Sequence, residues 1–301
     1  MKNSEQQPEA SGSAEACPVD RRILLPVRSR NEWPHTAAPE EDAVRRIAVV
    51  DTETTGLAVE RHQIIELCVA IVQVSDTGRI VAIEIVRSGL IDPGHPLTAE
   101  IVELTGLTDK ILAGRSIDAE QVAAVLASCD GAIAYNAGFD RPFVEKMIGR
   151  HVPIAWGCAM ADVPWRKLGL ELGPQGYLLN QTGRFMPSAH RAKDDVLALI
   201  QLLDHVCDDG ETVMAKTLAA MEALAWRFEA QGAPYGYKDD LRDQRYRWAW
   251  GRLHNLWHKH VRAEAYQAEL DWYVSTIGKE PVIVPLPASE RYRFHTTWTP
   301  A

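Results

Sequence analysis

The stretch IAVVDTETTGL, Ile47 to Leu57, constrains this chain more than any other part of it. Its leading apolar residues read as a strand buried on both faces, and the alternation of side chains along a strand puts Asp51 and Glu53 on one face. Two carboxylates at the end of a core strand repel each other and resist burial. A divalent cation converts that repulsion into coordination, because Mg²⁺ and Mn²⁺ take oxygen ligands from a few carboxylates together with substrate phosphate. The competing reading is a strand end that emerges into solvent.

The surrounding pattern places that strand in a mixed sheet. IIELCVAIVQVS and IVAIEIVRSGLI form a hairpin across the turn DTGR, while GAIAYN and PIAWGCAM are further buried strands. Helical periodicity marks TAEIVELTG, IDAEQVAAVLASC (with Ile117, Val122 and Leu126 on one stripe), FDRPFVEKMIGR and HRAKDDVLALIQLLDHVC, with shorter helices in ADVPWRKLG and GPQGYLLNQTG. Strands first, then strands alternating with helices, predict an α/β fold: a mixed sheet flanked by helices over residues 46–209. Residues 1–20 have the composition of a disordered tail, and 21–45, with three prolines, read as an extended leader draped on the domain. Aromatic residues crowd into the last third of the chain, so 210–301 is expected to form a second unit, a small aromatic-rich α/β domain.

Composition narrows the function. The chain has 301 residues, 46% of them hydrophobic and 24% charged, as a soluble globular protein does. No apolar run reaches the roughly 20 residues a membrane helix needs, and the N-terminus lacks the basic and apolar regions of a signal peptide, so a cytoplasmic protein without membrane contact is expected. Cys17, Cys68, Cys129, Cys158 and Cys207 are too scattered for a zinc site or a disulfide framework and read as reduced, packed thiols. A net charge of −9 argues against gripping nucleic acid over the whole surface. Residues 211–301 are close to neutral, so the acidic excess lies with the first 210.

Two more clusters carry chemistry. AIAYNAGFD sets Asp140 just after a buried strand and at the start of a helix, where the helix dipole favours negative charge. HRAKDDVLALIQLL supplies His190, Asp194 and Asp195; on a helix Asp195 shares the inward stripe of Ala192, Leu199 and Leu202, whereas Asp194 aligns with Arg191 and Gln201 on the polar side.

The order D-x-E, D, H-x4-D resembles the DEDDh group of DnaQ-like 3′–5′ exonucleases, a family related to the DNA polymerase III epsilon subunit. DTETTG matches the first family motif, NAGFD most of the second and HRAKDD the third; ELTGLTD and DVPWRKLGL add weaker likeness. The resemblance covers about residues 46–207 and implies the ribonuclease H-like fold. It implies two divalent metal ions (Mg²⁺ or Mn²⁺): Asp51 bridging both, Glu53 and Asp195 completing one, Asp140 holding the second, and His190 as general base. It further implies contacts to the terminal nucleotide: the Thr54 N–H and Glu66 at the 3′ hydroxyl, Leu57 as a wedge under the last base and Phe139 beside it. Leu57 and Phe139 read equally well as core packing. One departure stands out, Tyr135 where the second motif carries His, from which altered packing or substrate preference is expected and survival of activity.

The function implied is release of nucleoside 5′-monophosphates from single-stranded or frayed DNA 3′ ends, as in proofreading or repair. The alternatives are an RNA 3′ exonuclease of the RNase T or oligoribonuclease type, and a non-catalytic polymerase-associated subunit; association with a DNA polymerase is open in either case. The C-terminal stretch KDDLRDQRYRWAWGRLHNLWHKH interleaves Arg and Lys with Tyr and Trp, which suits either a surface that stacks single-stranded bases through Trp248 and Trp250 or the core of a small domain. His254, His258 and His260 share one strand face, a weak metal pattern without a neighbouring carboxylate or Cys. A chain ending near residue 210 is expected to keep its chemistry on short oligonucleotides.

Overall fold

The computed structural model describes residues 23–34, 45–188, 190–249 and 255–293. The expected tail at 1–20, Cys17, Trp250 and His254 lie outside the described residues. In chain order the strands are β1 (Leu25–Pro26), β2 (Arg45–Thr54), β3 (Ile64–Val74), β4 (Ile80–Leu90), β5 (Gly131–Ala134), β6 (Ala155–Cys158), β7 (Arg184–Phe185), β8 (Ala225–Glu229), β9 (Arg247–Ala249), β10 (Leu256–Arg262) and β11 (Val282–Pro285). The helices are α1 (Ala99–Thr105), α2 (Asp109–Leu112), α3 (Ala119–Ala127), α4 (Ala137–Ile148), α5 (Ala159–Asp162), α6 (Gln175–Gln181), α7 (Ala192–Leu203), α8 (Val213–Glu222), α9 (Lys238–Asp243) and α10 (Tyr266–Ile277).

A five-stranded sheet, ordered β4-β3-β2-β5-β6, is mixed: β2, β3 and β4 run antiparallel, while β5 and β6 run parallel to β2. This is the α/β architecture expected from the pattern. Both faces of the sheet are dry. Ile47 and Val49 of β2 pack with Cys68, Ala70 and Val72 of β3 against Val196, Leu199 and Ile200 of α7. Ala48 and Val50 point the other way, with Leu67 and Val69, against Leu126 of α3 and Phe143 and Val144 of α4. Because β2 is covered on both sides, its sequence is a run of apolar residues rather than an alternation. Its carboxyl end emerges between the α4 layer and the α7 layer, beside the carboxyl ends of β5 and β6, the usual crevice for ligands in such sheets.

Part of residues 21–45 docks on the domain. Trp33 is buried in the α7-side core, Arg28 stacks over its ring at 3.5 Å, and the Arg28 guanidinium bonds Gln201 and Asp204. That contact corrects the polar reading of one α7 face: Gln201 is buried because the leader covers it. β1 pairs in parallel with β7.

The division of the chain falls later than the expected boundary at residue 210. Val213, Met214, Leu218 and Met221 of α8 are buried in the same core as α7. The Thr212 hydroxyl donates to the Gly78 carbonyl at 2.7 Å, and a Cβ at Gly78 (φ 75°) would fall 2.6 Å from Ala215 Cα, so only glycine lets the β3–β4 turn meet α8. By packing, the second unit begins at β8. α8 carries no aromatic residue, so the rise in aromatic density points past it to the sheet beyond.

That sheet is antiparallel, ordered β11-β8-β10-β9. One face packs Phe228, Val261 and Tyr246 on Tyr273 and Ile277 of α10. Trp226 and Phe228 meet Tyr266 edge-on at 4.8 and 5.3 Å, so many of the C-terminal aromatics are core. Trp248, on edge strand β9, is 38% exposed and lies edge-on to Trp257.

The end of the described chain returns to the first unit. Arg141 of α4, fully buried beside Asp140, donates to the carbonyls of Arg291 and Ser289, both at 2.6 Å, and pairs with Glu145. Arg293 also reaches Glu145, and Asp162 takes hydrogen bonds from Arg262 and Tyr292. A chain ended near residue 210 would lose α8 from its core and two charge-assisted bonds from Arg141, each worth about 1.5–3 kcal/mol. We therefore expect such a chain to melt well below the full protein or to misfold, in contrast to the separability read from sequence. Thermal denaturation of chains ending at 209 and 301 checks this, and equal midpoints would refute it.

Candidate active site

β2 delivers Asp51 and Glu53 to its α7 face, both half-buried. Helix α7 begins immediately after Arg191 and brings Asp195 over them, so that ligand oxygens of Asp51, Glu53 and Asp195 all lie within 4.8 Å of one another. Among the described residues this is the group of acidic, His or Cys side chains with spacing suited to a metal ion. Asp140 comes from the opposite layer: it is 3% exposed, in the first turn of α4, and accepts a 2.8 Å hydrogen bond from the hydroxyl of Thr52, the residue between the two β2 carboxylates. Thr52 was not singled out from sequence, although the alternation that pairs Asp51 with Glu53 sends it toward α4.

The electrostatics follow from crowding negative charge where water is scarce. Burial, then repulsion by Asp140 and Asp195, holds the Asp51 carboxyl well above its ordinary range. Burial with repulsion by Asp195 and Glu66 lifts Glu53 to about 8. Asp140 is pushed up to about 7 by burial, against the opposing hydrogen bond from Thr52. Burial raises Asp195 to about 6, partly offset by the Arg191 backbone N–H on its carboxylate and by the nearby His190. The donor set fits hard divalent cations: only carboxylate oxygens, with no compensating Lys or Arg in the cluster itself.

His190 stands at the entry to α7, exposed, with φ 64°. A non-glycine residue in this left-handed region is uncommon and tends to persist where surrounding structure imposes it. It lines the same cleft, of about 610 Å³, as Asp51, Glu53, Asp140 and Asp195. Phe139 also lines it, tilted against Phe143 with centroids 5.0 Å apart. Tyr135 sits in the cleft wall and donates its hydroxyl to the Gly173 carbonyl, tying the end of β5 to the segment before α6.

The sequence-predicted residues divide here. Asp194 does not line the cleft; it accepts from the Ser188 hydroxyl at 2.6 Å, in keeping with the helix phase read from sequence. Glu66 is not in the cleft wall either. It lies directly opposite Glu53 in the β2–β3 ladder, 2% exposed, and is held by Arg191 at 3.0 Å, the Ala192 N–H and the Ser88 hydroxyl. Like charges opposed across strands destabilise a sheet. Arg191 offsets that repulsion and, with the Ala192 amide, fixes the start of α7, so Glu66 positions Asp195. Thr54 is buried with its hydroxyl on the Gly56 carbonyl, while Leu57 is 71% exposed in the loop beyond; neither lines the cleft.

Sequence reading missed the far wall. Gln175 of α6 donates to the Asp195 carbonyl at 2.8 Å, and Asn180, Phe185 and Met186 face the carboxylates across the cleft. Phe185 belongs to β7, which the leader strand β1 supports. No local motif marks these residues.

Comparison with known proteins fits this geometry. The family model for exonucleases of the RNase_T type matches residues 48–203, about half of the chain. PolC-type DNA polymerase III of Lacticaseibacillus paracasei is 34% identical over 115 residues, 38% of this chain but 8% of that protein; the enzyme of Streptococcus pyogenes serotype M5 is 37% identical over 105 residues, 34% of this chain and 7% of its own. The chain thus spans only a small part of these curated relatives. Among solved structures, exonuclease X in complex with 5′ overhanging duplex DNA aligns with TM-score 0.38 and 21% identity over 56% of this chain and 99% of that one. Exonuclease I aligns with TM-score 0.43 and 14% identity over 61% and 48%.

The chain belongs to the RNase_T exonuclease family. Within it, the chain is DnaQ-like. No helix among the described residues is long and apolar enough to cross a membrane.

The raised carboxyls give a stability signature. A carboxyl whose folded pKa exceeds its unfolded value binds more protons when folded, so the stability tied to it is present at low pH and lost as pH rises through the folded value. In EDTA, the contribution of this cluster should decline from about pH 4, where the unfolded aspartates lose their protons, to about pH 8, the span set by Asp195, Asp140 and Glu53. Mg²⁺ or Mn²⁺ should reverse the decline by linkage. Asp51→Asn should raise the melting temperature at pH 8 in EDTA and remove most of the stabilisation by cation. A lower midpoint for that variant in EDTA would show that the charges are not in conflict.

Proposed function

We propose that this exonuclease hydrolyses the terminal phosphodiester of single-stranded or frayed DNA 3′ ends and releases nucleoside 5′-monophosphates, with two divalent cations held by Asp51, Glu53, Asp195 and Asp140. The observation that carries the reading is the convergence of four carboxylates, all pushed up by burial and repulsion, on one cleft that His190 also lines. Asp51, buried and repelled by Asp140 from one layer and by Asp195 from the other, would be the ligand common to both cations. Bound cations would neutralise the phosphate and lower the pKa of water.

The chain's own residues do the rest. His190, at the open rim, takes the proton of the attacking water as general base. Phe139 gives the terminal base an aromatic wall, and Phe185 and Met186 close the opposite side. Gln175 holds the Asp195 backbone, Thr52 holds the Asp140 carboxylate, and Arg191 with Glu66 fixes the helix start between them. The DNA reading rests on the PolC-type relatives, which are DNA polymerases; the same side chains serve an RNA end.

Digestion of matched 3′-labelled DNA and RNA oligonucleotides with Mg²⁺ or Mn²⁺ tests the reading. Mononucleotide release from DNA, abolished by EDTA, is expected; faster release from RNA would reassign the substrate, and full activity in EDTA would sink the mechanism. Asp195→Ala should lower turnover by orders of magnitude while Asp194→Ala keeps most of it. His190→Ala should lose about 10²- to 10⁴-fold in turnover and retain cation-induced stabilisation.

A further inference from the structure

The second sheet turns one face to α10 and the other toward the exonuclease unit. On that other face the strand registers set Arg247 of β9 directly opposite His258 of β10, and His260 opposite Arg227 of β8. Against it lie Asn136 and Gly138, at the N-terminus of α4, and together these residues enclose a cavity of about 270 Å³ between the two units. Asn136 lines this cavity and the catalytic cleft alike.

Four polar atoms of its lining residues have no partner among the described residues. Arg247 Nη1, His258 Nδ1, His260 Nε2 and Arg291 Nε are buried and without a hydrogen-bond partner, although His258 and Arg291 are only 3% and 4% exposed. Buried polar groups in folded proteins are nearly always satisfied, so four on one cavity wall call for a ligand that accepts hydrogen bonds. The charge has the same bias. Asp162 is the acidic residue in the lining, and it is engaged by Arg262 and Tyr292; among the described residues neither Arg247 nor Arg291 has a carboxylate within ion-pair distance. Burial first, then the neighbouring Arg227 and Arg247, pushes His258 down to about 4, against Glu229 opposite it in the ladder, which is itself paired with Arg227; burial likewise pushes His260 down to about 3. The Asn136 side chain makes no capping bond at the start of α4, whose positive end faces the cavity.

A metal ion does not suit this wall, since the guanidiniums of Arg247 and Arg291, which have no carboxylate partner among the described residues, repel a cation; Arg291 keeps its terminal nitrogens on the Ala220 and Ala223 carbonyls and leaves only Nε unsatisfied. The geometry points to a phosphate-binding site between the two units, in which Arg247, His258 and His260 donate to phosphate oxygens. The volume admits a phosphate carrying an ester substituent, and the shared Asn136 puts it next to the cleft. Whether the phosphate is that of a polynucleotide or a free one is a matter of source; the binding chemistry is common to both. Only the polynucleotide source rests on the exonuclease reading.

The test uses the full chain in EDTA, so that neither catalysis nor the cation site contributes. Inorganic phosphate, a nucleoside 5′-monophosphate and a phosphorothioate oligonucleotide are titrated by calorimetry and thermal shift, with chloride at matched ionic strength as control. Phosphate should stabilise the protein where chloride does not, and Arg247→Met should weaken phosphate binding by about tenfold or more. With its ligand absent, Arg247→Met should melt no lower than wild type, because it removes an uncompensated charge. His258→Gln provides a second variant if the first misfolds. A loss of oligonucleotide affinity parallel to that of phosphate assigns the site to the substrate strand; a loss confined to phosphate and mononucleotide assigns it to the free ligand. Stabilisation by chloride equal to that by phosphate, or phosphate affinity untouched in both variants, overturns the proposal.

Discussion

The interaction on which this structure depends is the repulsion among Asp51, Glu53, Asp140 and Asp195. Four carboxylates in a water-poor cleft are unfavourable for folding, and each is lifted above its ordinary pKa as a result. The sheet tolerates them because each is fixed by separate means. Rigid β2, dry on both faces upstream, carries two; Thr52 ties Asp140 to that same strand; Glu66 and Arg191 fix the start of α7 and hence Asp195. The neighbours that sustain the strain are neutral or are paired among themselves, so the cluster keeps its charge deficit for a cation. Such local conflict inside a consistent fold is the mark of a site selected for chemistry.

The segments outside the family match serve that site at one remove. The leader buries Trp33 and supports β7, from which Phe185 faces the carboxylates. The C-terminal segment binds Arg141, the residue after Asp140, through two backbone carbonyls. A displacement of either segment therefore reaches the cleft through one or two contacts. Neither is a detached accessory.

How much of this was legible in sequence depended on whether the physics was local. Strand alternation gave Asp51 and Glu53, and helical phase separated Asp195 from Asp194. These are periodic properties of single elements, and the mixed α/β sheet is read from them; the ribonuclease H-like fold and the roles of the carboxylates come from the family resemblance. Glu66 was assigned to a substrate hydroxyl through family likeness, whereas here its position opposite Glu53 and beside Arg191 is a product of strand register and of a contact 125 residues away. Gln201 was placed on a polar face because nothing in α7 announces the leader that covers it. The domain division slipped past α8 for a related reason: aromatic content marks where a new core starts, not where the old one ends.

The two units also divide the electrostatic task. The cleft concentrates negative charge, which by itself repels the phosphates of any strand entering it, and the net charge of −9 adds to that. The second sheet directs Arg247 and two histidines to the other side of Asn136, with Arg262 neutralised by Asp162 and so not part of the excess. An acidic centre can accept a polyanion only if cations occupy it or if positive groups nearby hold the anion in place. On the readings proposed above, this chain would provide for both: carboxylates for cations on one side of Asn136, and unsatisfied donors for an anion on the other. The near-neutral C-terminal composition hid that arrangement, because its acidic residues are used within its own packing, as in Glu269 with Lys259 and Glu229 with Arg227, and leave the inward face basic.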